Sequence, residues 1–188
     1  MIIFSKYLVK LVKIYGIVIS HLKKFSYRLM YENLSFAKKV YLGKGVKISI
    51  TDGGSLHIGE NTCVDRFTNI RVNGGDVVVG DNSYVGEFCY LASNVKVFIG
   101  NGSLIASHVV IRDNQHKYED VLTPVHLQGN ECKDVVIGEN VWLGTKATVL
   151  MGVTVGSDTI IGAHSLVNKN MDKGYICAGS PCRPIRKR

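Results

Sequence analysis

The feature that most constrains this chain is a period of six. Ile137, Leu143, Val149, Val155, Ile161 and Val167 are consecutive aliphatic residues at six-residue spacing, and Gly138, Gly144, Gly156 and Gly162 follow four of them. Small or β-branched Val141, Ala147, Val153, Thr159 and Ser165 stand four places after the aliphatics. The spacing recurs upstream in triplets: Ile58, Val64, Ile70; then Val79, Val85, Leu91; then Ile99, Ile105, Ile111. A fixed short period is the mark of a repeat architecture. An amphipathic helix needs apolar residues at intervals of three and four, which residues 137–167 do not sustain. One apolar knob in six residues suits a short strand and a turn, three to a coil of eighteen. Glycine supplies turn dihedrals that a Cβ disfavours, and the small residue lets the corner close. Strands then pair between coils, and the reading is an all-β, three-sided parallel β-helix whose ends need caps. Triplet starts at 58, 79 and 99 exceed that period by three and two residues, which places small bulges near Asn73–Asp76 and Asn94–Val97.

The period breaks once on a large scale. From Ile111 to Ile137 is 26 residues, so a loop at about 114–134 leaves the coil next to Asp113, Asn114, Gln115 and His116. Ejected loops of this length in compact folds are disproportionately functional. Residues 1–40 lie outside the repeat that occupies 41–188. There Leu8, Leu11, Val12, Tyr15, Val18 and Leu22 follow helical spacing among Lys6, Lys10, Lys13, Lys23 and Lys24, which predicts one or two basic amphipathic helices. Two roles are open to this segment: a cap over the first coil, or contact with a membrane surface, which needs a free apolar face.

Charge supports that division. The formal net charge is +8, yet residues 1–40 hold eight Lys and Arg against one Glu, while 41–188 hold fifteen against fourteen Asp and Glu. The basic excess is local and no nucleic-acid-binding motif accompanies it, so nucleic acid is not an expected partner. The longest uncharged stretch, Ile14–Leu22, is nine residues, against the roughly 20 of a spanning helix. The order of charges does not match a signal peptide. Five scattered cysteines without a C-x-x-C pair fit neither a disulfide framework nor a zinc ribbon. A reduced, cytoplasmic location is the simpler expectation, with the inner face of the membrane available to the basic segment.

The hexad pattern, the run Ile137-Gly138-Glu139-Asn140-Val141-Trp142-Leu143-Gly144 and the ending Ala178-Gly179-Ser180-Pro181-Cys182-Arg183-Pro184-Ile185-Arg186 resemble the left-handed β-helix acyltransferases. Within that family the residues resemble galactoside and maltose O-acetyltransferases and polysaccharide O-acetyltransferases, and the resemblance covers about 42–188. Handedness comes from the resemblance alone, since such coils depart from the usual right-handed crossover. It implies acetyl-coenzyme A as co-substrate, a homotrimer, and a site in the cleft between neighbouring prisms; the acceptor expected is a sugar hydroxyl in a surface polysaccharide or its precursor, the latter half resting on the basic amphipathic N-terminus.

The catalytic histidine the resemblance implies is His116. The chemistry asks for such a group, because an alcohol attacking a thioester must lose its proton and imidazole is an effective base near neutral pH. Asp113 or a backbone carbonyl is available to hold its other ring nitrogen. The resemblance assigns the oxyanion donor to the Thr145 N–H, places Trp142 beside the pantetheine or the acceptor, and lets the pantetheine arm pass close to Gly144 and Ala163. Lys169 and Arg183, with Arg186 behind them, match basic positions that meet coenzyme A phosphates. One departure concerns the asparagine that many sugar acetyltransferases carry on the coil before the histidine; here that region reads Val85-Gly86-Glu87-Phe88-Cys89-Tyr90. Glu87, Cys89 and Tyr90 stand as acceptor-side candidates, and a half-buried cysteine in a repeat is more often inert than nucleophilic. Zinc-binding γ-class carbonic anhydrases share the fold, but the spacing of His108, His116 and His126 does not match a ligand pattern, so no metal is expected. The other histidines, His21, His57 and His164, read as surface or corner residues. An N-acetyltransferase of an amino sugar or antibiotic would use the same base and donor, and a non-catalytic scaffold is the remaining alternative.

Overall fold

The computed structural model describes residues 2–188; the side chains of residues 2–10 and Lys13, and with them the expectations on Lys6, Leu8, Lys10 and Lys13, lie outside the described residues. One helix, α1 (Ile2–Met30), is followed by short strands that stack into three sheets, parallel except for the last strand of the second. The first sheet begins at Leu34–Phe36 and runs through Ser55–Ile58, Asp76–Val79, Lys96–Ile99 and Val135–Ile137 to Thr154–Val155. The second begins at Tyr41–Leu42 and the third at Lys47–Thr51, so each coil contributes one strand to each side of a prism.

The hexad aliphatics build its interior. All fifteen named above, from Ile58 to Val167, are 0% exposed. Register stacks them coil on coil, with Ile58 opposite Val79, Val79 opposite Ile99, Ile99 opposite Ile137 and Ile137 opposite Val155. Each fully buried side chain of this size contributes about 1.5–3 kcal/mol. The small residues four places on are buried too, and their hydroxyls bond between coils. Thr62 Oγ1 donates to Gly80 O at 2.8 Å and accepts from Ser83 N at 3.1 Å; Thr68 repeats this with Gly86 O at 2.6 Å and Cys89 N at 3.2 Å.

The reason for the glycines differs from the sequence expectation. Gly138, Gly144, Gly156 and Gly162 do not adopt left-handed dihedrals. They are required because successive coils approach so closely: a Cβ on Gly144 would lie 2.6 Å from Ala163 N, and one on Gly138 would lie 2.5 Å from Ser157 N. The left-handed residues come two places later, at Asn140, Lys146, Asp158 and His164. Phe67, Phe88 and His108 take this conformation despite their bulk. Their rings stack in a column at 5.2 and 5.0 Å, a compensation that asparagine at the other corner finds instead in side-chain hydrogen bonds such as Asn61 to Asn82.

The C-terminal half of α1 covers the first coil. Lys24 Nζ donates to Val40 O at 2.6 Å, Lys23 Nζ to Gly43 O at 2.7 Å, and Ser20 Oγ accepts from Leu42 N at 2.9 Å. Tyr27 Oη donates to Val46 O at 3.1 Å and accepts from Ile48 N at 3.2 Å, so one phenol satisfies two groups of an otherwise open coil. Tyr27→Phe removes both bonds while keeping the ring, and is expected to destabilise the chain by about 2 kcal/mol; a lowered thermal unfolding midpoint measures it.

Candidate active site

The large break in the period is an arm. Asn114–His116 pairs antiparallel with Asn130–Cys132, which projects the chain away from the third corner before it rejoins the first sheet at Val135. Asp113 anchors it. This residue is fully buried, and its carboxylate accepts the N–H groups of Asn94, Val95 and Lys96 at 2.7–3.0 Å together with the Ser93 hydroxyl at 2.8 Å. With Asn114 Nδ2 also donating to it at 3.2 Å, Asp113 is the anchor of the arm and is not bonded to the His116 ring. That corrects one of the two partners the sequence left open for the imidazole.

His116 sits at the rim of a cavity of about 270 Å³ on the outer face of the third sheet, lined by Arg71, Asn73, Tyr90, Ala92, Asn94, Arg112, Asn114 and Asn130. The wall holds no carboxylate. Two guanidiniums, four side-chain amides and a phenol offer donors and acceptors in the mixture that a polyhydroxylated molecule requires. Asn114 Nδ2 donates to Asn94 Oδ1 at 2.9 Å and Arg112 to Asn114 Oδ1 at 3.1 Å, which holds part of this wall in place.

Of the acceptor-side candidates, only Tyr90 reaches the cavity. Glu87 forms an ion pair with Arg66 at the second corner. Cys89 points into the core, 1% exposed, with its thiol donating to Ala106 O at 3.1 Å; burial pushes its pKa up to about 11. It is protonated and shielded at neutral pH, and is no nucleophile. The residues that sequence reasoning missed, Asn130 in the arm excepted, hold one of two places in the hexad. Arg71 and Arg112 directly follow hexad aliphatics and point outward in register with Ala92. Asn73, Asn94 and Asn114 each stand three places after one, at Ile70, Leu91 and Ile111.

The second group of predicted residues lies elsewhere. Trp142 is half-exposed on the outer face of the second sheet, between Leu104 and Ile160, and lines a shallow pocket of about 110 Å³ with Arg188. Thr145 occupies the second corner in a column with Ser107 and Ala163, tied by Lys146 N to Ser107 O and His164 N to Thr145 O. The Thr145 N–H has no protein acceptor among the described residues. Arg183 and Arg186 are exposed on the last strand, and Lys169 is exposed at the third corner. His116 and Thr145 therefore stand beyond opposite ends of the third sheet's strands, at its third and second corners. His108 stacks on Phe88 at the second corner and His126 lies in the arm, so the three histidines are not gathered.

Two outcomes follow from this geometry. Asp113→Ala leaves several buried N–H groups without an acceptor and is expected to lower stability by about 3 kcal/mol, read as a fall in the thermal midpoint. A maleimide at neutral pH is expected to leave Cys89 unlabelled in the native protein and to modify it after denaturation, with mass spectrometry of the peptide as the readout.

Comparison with known proteins agrees with the architecture. Residues 134–169 match the family described as bacterial transferase hexapeptide (six repeats). The chain is 34% identical over 146 residues to the "Putative lipopolysaccharide biosynthesis O-acetyl transferase WbbJ" of Escherichia coli strain K12, covering 73% of this chain and 74% of that one. A galactoside acetyltransferase solved in complex with coenzyme A superposes with a TM-score of 0.58 at 25% identity, over 83% of this chain and 66% of the other. The N-acyltransferase AntD of Bacillus cereus, in complex with dTDP and 3-hydroxybutyryl-CoA, superposes at 0.74 with 21% identity, over 87% and 88%, a likeness of fold. With the hexad interior, the polar cavity beside His116 and the open corner at Thr145, these matches establish that the chain belongs to the hexapeptide-repeat acetyltransferases and has their left-handed parallel β-helix.

Proposed function

We propose that the protein transfers the acetyl group of acetyl-coenzyme A to a hydroxyl of a sugar in a surface polysaccharide or its precursor, working as a homotrimer with each site between two chains. The observation that carries this reading is the separation of the two half-sites. His116 and its polar cavity lie on the outer face of the third sheet toward the third corner, while Trp142, Gly144, Thr145 and Ala163 lie on the second sheet and at the second corner. A second copy that sets its second corner against the cavity supplies the missing half to each. The tip of the arm carries Val121 and Leu122, 92% and 90% exposed, as apolar residues available to a neighbour.

In this arrangement the cavity binds the sugar through Arg71, Arg112, Tyr90 and the asparagines. His116 takes the proton of the acceptor hydroxyl as its oxygen attacks the acetyl carbon. Negative charge collecting on the thioester oxygen is held by the neighbour's Thr145 N–H. The carbon–sulfur bond then breaks, and the departing sulfur receives the proton from the imidazole. The column Ser107, Thr145 and Ala163, with glycine beneath it, leaves the corner low enough for a slender chain to lie along the backbone. Arg183, Arg186 and Lys169 would meet the phosphates. The relative named for lipopolysaccharide biosynthesis supports a sugar hydroxyl as acceptor.

His116→Ala is expected to lower kcat/KM for acceptor-dependent thiol release by about 100-fold or more; a variant that keeps more than about a tenth of the activity excludes the imidazole as base. Co-expression tests the shared site. His116→Ala chains mixed with Ala163→Trp chains, the second substitution lying at an exposed corner position and each inactive alone, are expected to recover about a quarter of wild-type activity, the fraction of interfaces that random assortment restores. No recovery would place the whole site within one chain.

A further inference from the structure

Helix α1 has a second face that the cap does not use. Leu11, Tyr15, Val18, Leu22, Phe25 and Leu29 recur at intervals of four and three, and each is 50–73% exposed. They lie opposite the face of Ser20, Lys24, Tyr27 and Tyr31 that bonds to the first coil. An apolar stripe five turns long is more than a soluble surface ordinarily leaves bare.

Along one flank of the stripe, α1 and the first corner enclose a cavity of about 550 Å³ lined by His21, Lys24, Phe25, Arg28, Phe36, Ala37, Lys38 and Lys39. Five of these side chains are basic and none is acidic. Lys24 and Arg28 each spend one donor on a backbone carbonyl, Val40 O at 2.6 Å and Phe36 O at 2.8 Å, which fixes the cationic groups while leaving further N–H donors free. Burial and the neighbouring Arg28 push the Lys24 pKa down, the sign of cations crowded together without a counter-charge. Phe25 belongs to both the stripe and the cavity, so the apolar surface and the anion-seeking one are continuous.

We propose that this cavity takes the phosphate of an anionic phospholipid headgroup while the Leu11–Leu29 stripe lies in the interfacial plane of the bilayer, so that the β-helix stands end-on at the membrane. Charge decides for lipid over a second copy of the chain. Another α1 would bring its own cations against these, and residues 1–47 contain only Glu32 as an acid. An anionic membrane offers acyl chains to the stripe and phosphates to the cavity at once. The assignment is independent of how acetyl transfer proceeds.

Flotation of the full chain with phosphatidylcholine vesicles, with and without phosphatidylglycerol, tests it. Wild type is expected to float with the phosphatidylglycerol vesicles at least about tenfold more strongly than with the neutral ones, and less so as salt rises. The double variant Lys38→Glu/Lys39→Glu, at exposed positions, is expected to lose that preference and keep the weak neutral binding. Leu22→Asp/Phe25→Asp is expected to abolish both, while thiol release with a soluble acceptor stays unchanged in both variants. Flotation of Lys38→Glu/Lys39→Glu equal to wild type would overturn the headgroup site. Absence of wild-type flotation would overturn the proposal outright: binding of inorganic phosphate would then assign the cavity to free anions, and a smaller oligomer for Leu22→Asp/Phe25→Asp would assign the stripe to a second copy.

Discussion

Everything in this fold depends on how near one coil lies to the next. At the corners the backbones are in contact, as the 2.6 Å gap between a Cβ placed on Gly144 and Ala163 N shows. That distance lets the N–H and C=O groups of each coil pair with the coils above and below it, and leaves an interior only one aliphatic side chain deep per side. The hydrophobic and hydrogen-bonding requirements are thus met by the same translation along the axis. A substituent at the glycine position opposes both.

The stacking also arranges chemistry in columns. A residue's place within the hexad determines whether it enters the core, closes a corner, or faces out beside its counterparts on neighbouring coils. Ser107, Thr145 and Ala163 form one such column, and the outward wall of Arg71, Ala92 and Arg112 another. The arm is the exception, since His116 is carried by two short antiparallel strands outside the winding. Its departure point is nevertheless rigid, because the Asp113 carboxylate ties it to three amides of the preceding coil. Reach comes from the arm and aim from the coil.

Much of this is written in the sequence, because burial recurs at a covalently fixed interval. Aliphatic periodicity alone locates the interior, the prism sides and the place where the chain leaves them. Direction within a hexad follows from the same count, and residue chemistry taken without it misleads. Cys89 stands four places after Val85, the position filled by Ala147 and Ser165, and so belongs at a buried corner; Glu87 stands two places after Val85, in the column of Thr145. The register that the period contains assigns neither of them to the acceptor cavity. The asparagine wall was legible by the same rule, at three places after Ile70, Leu91 and Ile111. Asp113 was not, since its partners are backbone amides that carry no residue identity. The true role of the glycines was equally hidden, because a demand for nearness and a demand for unusual dihedrals select the same amino acid.

The two ends of the prism are unlike each other. At one, α1 lies across the first coil. At the other, the chain reverses, and Arg183–Lys187 runs antiparallel against Tyr175–Ala178. An array of identical rungs has no intrinsic reason to stop, and an open terminal rung is a template for another molecule. The reversed strand presents Arg183, Pro184, Arg186 and Lys187 at that edge, a row of cations with a missing amide. End-to-end pairing of the second sheet with another molecule is thereby disfavoured at both ends of the prism.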